Sequence, residues 1–402
     1  MADSSETSNG QSREIGAWGA FSTVAGSMIG IGIFLVPPIV AQKLPSAFGF
    51  FSVWIVAALA ALSGATAYAE LGGLFPEAGG DYVFQREVYG RATAFASGWV
   101  LFGGIFTGSI AALAVPLGTH QLDTLLDAAG IPFAPEATVP YVGLTGAQTV
   151  GVAIVVGLTL VNSFRARVSS VVQTVTTILP VIGLAFGGLF VLAWAGAPPA
   201  EPAPPPGPQS AGGYLLSWVD AYTAAYFAFS GWNAIIYVSG EVKNPGKTIP
   251  VGLLGGTLVV TVVYLVLCAA FVVTLGFGGL AGVVEAGTAT ARAFGGETAG
   301  LFVTAVVAVA LLASVNATIL GGARVAYAMA RREAFPSVFG ELNRFDVPVR
   351  ALWLQALWAC LLVVTGTFEQ ILDLVGLAMM FVGAMTVATV WFLRSRRPEM
   401  ER

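Results

Sequence analysis

Apolar stretches of membrane-spanning length, separated by short polar connections, fill most of this chain. Ten such runs stand out, at roughly 16–42, 47–74, 92–117, 141–162, 169–195, 215–239, 250–276, 299–329, 349–366 and 370–393. A helix needs about 20 mostly apolar residues to cross the hydrocarbon layer, and each run reads as one crossing. The first, sixth and eighth are long enough to imply tilt, a break or an extension into water.

Two of the runs carry an interruption. The first contains Gly26-Ser27-Met28-Ile29-Gly30-Ile31-Gly32-Ile33, and three glycines so close together each cost a continuous helix about 1 kcal/mol. The sixth contains Phe229-Ser230-Gly231-Trp232-Asn233, small and polar residues in the middle of an apolar helix. Each interruption falls in the first run of a five-run half. An odd number of crossings per half inverts the second copy, so the expectation is an all-α membrane protein of about ten helices, a 5+5 inverted repeat with helices 1 and 6 broken. The expected divisions are a cytoplasmic tail (1–14), a first repeat (15–195), a Pro-rich extracytoplasmic connector (196–214), a second repeat (215–394) and a cytoplasmic tail (395–402).

Broken helices expose backbone groups that hydrocarbon cannot satisfy, so they must line a cavity or hold something. N–H groups opening a half-helix attract a carboxylate, and carbonyls closing one attract an ammonium. A zwitterion such as an α-amino acid carries both. Ordinary glycine-rich helix packing is the competing reading of either break alone, and the matching positions of the two favour the binding role.

Composition agrees with the pattern: 56% of the 402 residues are hydrophobic and 10% are charged, against about 25% charged in soluble domains. Charge then orients the chain. With the N-terminus inside, sixteen of the 18 basic residues fall in inner connections and only Lys43 and Arg292 outside, the asymmetry expected of a multi-pass protein of a cytoplasmic (inner) membrane with both termini cytoplasmic. No basic surface suits nucleic acid. No metal-ligand spacing, phosphate loop or paired nucleophile and base suits an enzyme, and no cofactor or metal site is expected. Cys268 and Cys360 lie in apolar runs and read as buried hydrophobes. The polar segment from Met1 to Gln11 has no cleavable-leader pattern.

The motifs resemble those of the amino acid–polyamine–organocation (APC) superfamily of permeases, above all its bacterial L-type relatives. The carriers of the resemblance are GSMIGIGIF (26–34), AELGGLFPEAGGDYVFQREVYG (69–90), YFAFSGWNAIIYVSGEVKNPGKTIP (226–250) and ARVAYAMARREAFP (323–336). The resemblance implies that Ile31 and Gly32 offer backbone N–H groups to a substrate carboxylate, and that carbonyls near Met28, Phe227 and Ser230 receive the amino group. Gly30 and Gly231 would permit close approach. The candidate substrate site is thus Met28, Ile29, Gly30, Ile31 and Gly32 with Phe227, Ala228, Phe229, Ser230 and Gly231, and the candidate gates are Phe227 and Trp232. Two departures stand out. Family members usually carry twelve spans, and Pro180 stands in VQTVTTILP where many members place a lysine; a kink is expected there.

Other polar residues are read as structural. Glu70 is expected to cap an inner network near the end of the second span, and Arg324 to pair with Glu70 or another inner acid while snorkelling toward the cytoplasm. His120, alone of its kind, cannot build a multi-histidine metal site. The functional expectation is a secondary transporter, an exchanger or facilitator of neutral L-amino acids by alternating access, because no acidic side chain lies at either break; Ser314 is a candidate hydroxyl for sodium coupling. The alternatives are a basic amino acid or polyamine antiporter and a non-transporting sensor. The expected partners are the amino acid substrate and the lipid bilayer, with no disulfide-linked heavy chain, since residues 118–140 hold no cysteine; oligomeric state is left open.

Overall fold

The computed structural model describes residues 13–139, 143–164, 166–194, 204–208, 210–365 and 368–396. Most of the expected N-terminal tail, half of the Pro-rich connector and most of the C-terminal tail lie outside these residues. The protein is all-α: the described residues form helices in which the only β pairing is two isolated bridges.

In chain order the helices are α1 (Ala17–Met28), α2 (Gly32–Lys43), α3 (Ala47–Leu74), α4 (Asp81–Tyr89), α5 (Arg91–Ala128), α6 (Gly146–Asn162), α7 (Ala166–Trp194), α8 (Ala211–Ala228), α9 (Ala234–Tyr237), α10 (Pro245–Ala281), α11 (Ala286–Arg331), α12 (Val349–Thr365) and α13 (Phe368–Arg396). Among the described residues seven segments are long and apolar enough to cross a membrane by themselves, with α1 and α2 joined as one of them. The shorter α6 and α12, and α8 with α9, coincide with the other expected runs.

Two features differ from the hydropathy reading. α5 is longer than its apolar run because two wide π-type stretches, Val100–Phe106 and Leu117–Leu122, carry it out to Ala128. α11 gains a separate first segment, with Gly296 at φ +71 marking the bend. α7, expected as one run, continues on both sides of a buried Pro180.

Both expected interruptions are real. α1 ends at Met28, where Ile29 leaves the helical region (φ −75, ψ 87), and α2 opens at Gly32. α8 ends at Ala228 and α9 begins at Ala234, with Gly231 at φ +88 between them. The broken pair sits in the middle of the bundle. In the apolar window of α1–α2, 83% of residues are buried, against 28% in that of Val375–Arg396, so α1–α2 is wrapped by protein while this part of α13 lies at the outside of the bundle.

Close packing around α1 depends on glycine. α10 lies against α1 with Gly252 and Gly256 at the contact. A Cβ on Gly252 would fall 2.8 Å from the Cβ of Ala20, and one on Gly256 2.7 Å from Cγ1 of Val24. The neighbours belong to a buried helix and cannot swing aside, so a larger residue must part the two helices. Overpacking of this kind costs about 1–3 kcal/mol. Gly252→Val is expected to lower the midpoint of thermal unfolding in detergent, whereas Gly212→Val, which meets nothing within 4 Å, leaves it unchanged.

Candidate functional site

The two breaks face one another across a single cavity. Met28, Gly30, Ile31 and Gly32 line it from the first break, and Phe227, Ala228, Ser230, Gly231 and Trp232 from the second. The approach is very close. A Cβ on Gly32 would land 2.6 Å from Cα of Ala228, and one on Gly231 2.7 Å from the carbonyl oxygen of Ser27. No side chain fits at either point.

Two of the sequence candidates do not line the cavity. Ile29 is buried in the surrounding core, and Phe229 packs between Trp54 and Tyr264 with ring centroids 6.1 and 5.1 Å away. Their backbones shape the breaks while their side chains hold the broken helices in the bundle. The gate candidates do line it. Phe227 is buried at the cavity wall, and Trp232 meets the ring of Tyr68 edge-on at 4.7 Å over a space kept free by Gly64.

Helix geometry leaves the N–H groups around Gly32 without intrahelical acceptors, and the positive end of the α2 dipole favours an anion there. The carbonyls closing α1 and α8 are partly engaged. Tyr264 donates its hydroxyl to Met28 O at 2.5 Å and lies 3.1 Å from Ala228 O, so one phenol from α10 bridges both broken ends. Ser314 Oγ, on α11, donates to Ser27 O at 3.2 Å. The cavity is therefore lined by residues from the opening end of α2 and from the closing ends of α1 and α8.

Neither break carries an acid, as expected, but one reaches the cavity from another element. Asp81, the first residue of α4, is 1% exposed and lines the floor. Tyr68 from α3 donates to its Oδ1, and Tyr237 from α9 donates to its Oδ2. The residue lies within the stretch 69–90, in the connection between two apolar runs. The signal available was the glycine pair before it. Gly79 (φ +115) and Gly80 (φ +51) turn the chain back under the bundle, and a Cβ on Gly80 would fall 2.6 Å from Cδ1 of Tyr237. Tyr68, Tyr226, Ser109, Thr318 and Met379 are further lining residues that sequence reasoning did not pick out.

Below the floor, the face rich in basic residues is closed by ion pairs. Arg324 and Glu241 form a buried pair, with 2.9 Å between Nη2 and Oε1 and side chains 1% and 4% exposed. This corrects the expected snorkelling: Arg324 stays inside because the turn after α9 delivers Glu241 to it. Glu70 pairs with Arg394 of α13 (2.5 Å), the structural role expected of it but with a partner no pattern announced. Arg332 bridges Glu77 and Glu87. The segment before α1 joins the closure, with Glu14 N and Ile15 N both donating to Glu241 O at 2.9 Å. Cys268 is buried and Cys360 half-buried, and both are free.

The comparisons with known proteins agree with this architecture. The family described as amino acid permease matches residues 15–402. The chain belongs to that family. It is 28% identical to the serine/threonine exchanger SteT of Bacillus subtilis over 86% of this chain and 74% of that protein. It is 27% identical to the mouse large neutral amino acids transporter small subunit 2 over 97% of this chain and 72% of that one. The human cystine/glutamate transporter is 25% identical over 95% and 74% respectively. An amino acid permease of this kind is a multi-pass membrane protein, and the resemblance expected from the motifs holds.

Removing one member of a buried ion pair leaves the other as an uncompensated charge, which costs about 3–5 kcal/mol. Glu241→Gln, which strands Arg324, is expected to lose most of the folded protein recovered by size-exclusion chromatography. Glu341→Gln, at the exposed pair with Arg350, leaves the yield unchanged, because exposed pairs contribute only about 0–1 kcal/mol.

Proposed function

We propose that this protein is a secondary transporter, an exchanger or facilitator, of neutral L-amino acids, working by alternating access around the two broken helices. The observation that carries the reading is the single cavity between the α1–α2 and α8–α9 breaks, lined by residues of the opening end of α2 and of the closing ends of α1 and α8. In this reading the substrate carboxylate sits on the N–H groups of Ile31 and Gly32. The amino group meets the carbonyls of Met28, Phe227 and Ser230, with the Gly30 and Gly231 backbones against it, and Phe227 and Trp232 gate the two ends. The five-helix halves 15–195 and 215–394 form the inverted repeat. In this reading the face closed by Arg324, Arg332 and Arg394 is cytoplasmic and both termini lie inside, which the distribution of Lys and Arg supports.

The relatives named for serine/threonine exchange and for large neutral amino acids support the substrate class. A disulfide-linked heavy chain is not part of the proposal, since both cysteines lie in apolar helices. One observation favours a second reading, transport of basic amino acids or polyamines: Asp81 faces the cavity. Its two oxygens already accept from tyrosines, so the neutral class is preferred.

Counterflow in proteoliposomes tests the choice. Vesicles loaded with one unlabelled amino acid are expected to accumulate labelled serine, alanine or leucine, with arginine and putrescine competing weakly. Dominant competition by arginine or putrescine establishes the second reading, and binding without uptake points to a sensor. Gly32→Ala, whose Cβ would press on Ala228, is expected to slow counterflow about tenfold or more, the ratio corresponding to ~1.4 kcal/mol. Gly103→Ala, which meets nothing within 4 Å, leaves the rate unchanged.

A further inference from the structure

Asp81 is a carboxylate with an unusual set of partners. It is buried, it faces the cavity, and among the described residues no cation pairs with it. The cations around α4 are committed elsewhere: Arg324 to Glu241, Arg332 to Glu77 and Glu87, Arg394 to Glu70. Arg396 donates to Val88 O, and among the described residues Arg86, Arg91 and Arg331 form no ion pair with Asp81. What faces Asp81 is hydroxyl: Thr386 from α13, Tyr68 from α3, Tyr237 from α9 and, farther off, Tyr226 from α8.

These bonds tie three elements together. Tyr237 ends α9, the short half-helix below the second break; Tyr68 belongs to α3; Asp81 begins α4. α4 is itself fastened to α13, with Gln85 donating to Thr386 at 2.8 Å and Tyr89 to Met385 O at 2.9 Å. Ser239, just past α9, donates to Glu77 O at 2.7 Å. The contact is therefore a latch across the cavity floor, and Gly80 is the residue that lets Tyr237 reach it.

A phenol has one O–H. Both tyrosines spend theirs on the carboxylate, and hydrogen bonds to a charged acceptor are about twice as strong as neutral ones. A proton on one carboxylate oxygen turns that oxygen into a donor, so the tyrosine on it must turn its own O–H away. Both remaining bonds become neutral. The Tyr237 hydroxyl oxygen already accepts from the Asn233 amide nitrogen at 3.4 Å, so a carboxyl proton would have to share that oxygen with an existing donor. We propose that Asp81 is a proton-binding site built into the floor of the cavity, and that its protonation unlatches α9 from α3 and α4. Burial pushes the Asp81 carboxyl up from the ordinary carboxylate range, while the hydroxyls of Thr386, Tyr237 and Tyr68 oppose that shift.

That the cavity holds an amino acid rests on the proposed function; proton binding does not, and infrared difference spectroscopy of the purified full chain reads it without any solute. A protonated-carboxyl band is expected to titrate in the wild type and to be missing in Asp81→Asn. In Tyr237→Phe its midpoint moves to higher pH, because a donor to the charged form has been removed. The proposal is overturned if Asp81→Asn keeps every titrating band, or if the Tyr237→Phe midpoint stays put or falls. Should Asp81→Asn not fold, the Tyr237→Phe midpoint decides alone. Unlatching is read with an Ala234→Cys reporter, labelled from the basic face by an impermeant thiol reagent. At pH above the midpoint, adding Asp81→Asn speeds labelling about fivefold, as expected for one weakened hydrogen bond, and below it the two proteins label alike; equal labelling at every pH contradicts the latch. Absent counterflow with a titrating Asp81 band would remove the solute assignment only, and the converse would remove this inference only.

Discussion

Hydrocarbon offers nothing to an unpaired backbone amide, and the rest of this structure depends on how that demand is met at two places. Over most of the other described crossings the chain satisfies its backbone by continuous helix. Between Met28 and Gly32, and between Ala228 and Ala234, the ladder is interrupted. The breaks persist because they face each other inside the bundle, where Tyr264 bridges Met28 O and Ala228 O and the remaining groups line a cavity. Glycine at 32 and 231 is the steric condition for that arrangement, and glycine at 252 and 256 lets α10 come close enough to support α1.

The polar interactions divide by depth. At the level of the breaks they are hydroxyl to carbonyl. At the cavity floor a single carboxylate gathers two phenols. Below the floor, Arg324–Glu241, Arg332–Glu77 and Arg394–Glu70 close the basic face, with the arginines progressively more exposed in that order. Alternation of access requires the floor and the layer below it to open together. Both run through the same short segment, because Tyr237 and Glu241 are one helical turn apart at the end of the second break. Substrate-induced movement of α9 would therefore reach both.

Much of the fold was legible because hydropathy and glycine placement are local signals. The run 47–74 is α3 to the residue, and both breaks lie where three glycines, or a serine and a glycine, interrupt an apolar helix. The site was half legible. Backbone groups at the breaks follow from the breaks themselves, but which side chains face inward depends on helix rotation, and so Phe229 and Ile29 turned out to face the core. Asp81 was hidden by composition. A charge between two glycines and an aromatic in a polar connection reads as solvated, and only the return of that connection beneath α9 buries it. The partner of Arg324 was hidden for a related reason: Glu241 is far away in sequence and arrives through the turn after α9.

The central claim is that two sets of broken-helix ends recognise the two charges of one zwitterion. Thermal stabilisation of the purified protein by a transported L-amino acid, compared with its methyl ester and its N-acetyl derivative, tests this most directly. Each derivative removes one charge-assisted interaction of about 1.5–3 kcal/mol, so both are expected to need roughly 10- to 100-fold higher concentration for the same stabilisation. Equal stabilisation by the parent and both derivatives would contradict the account.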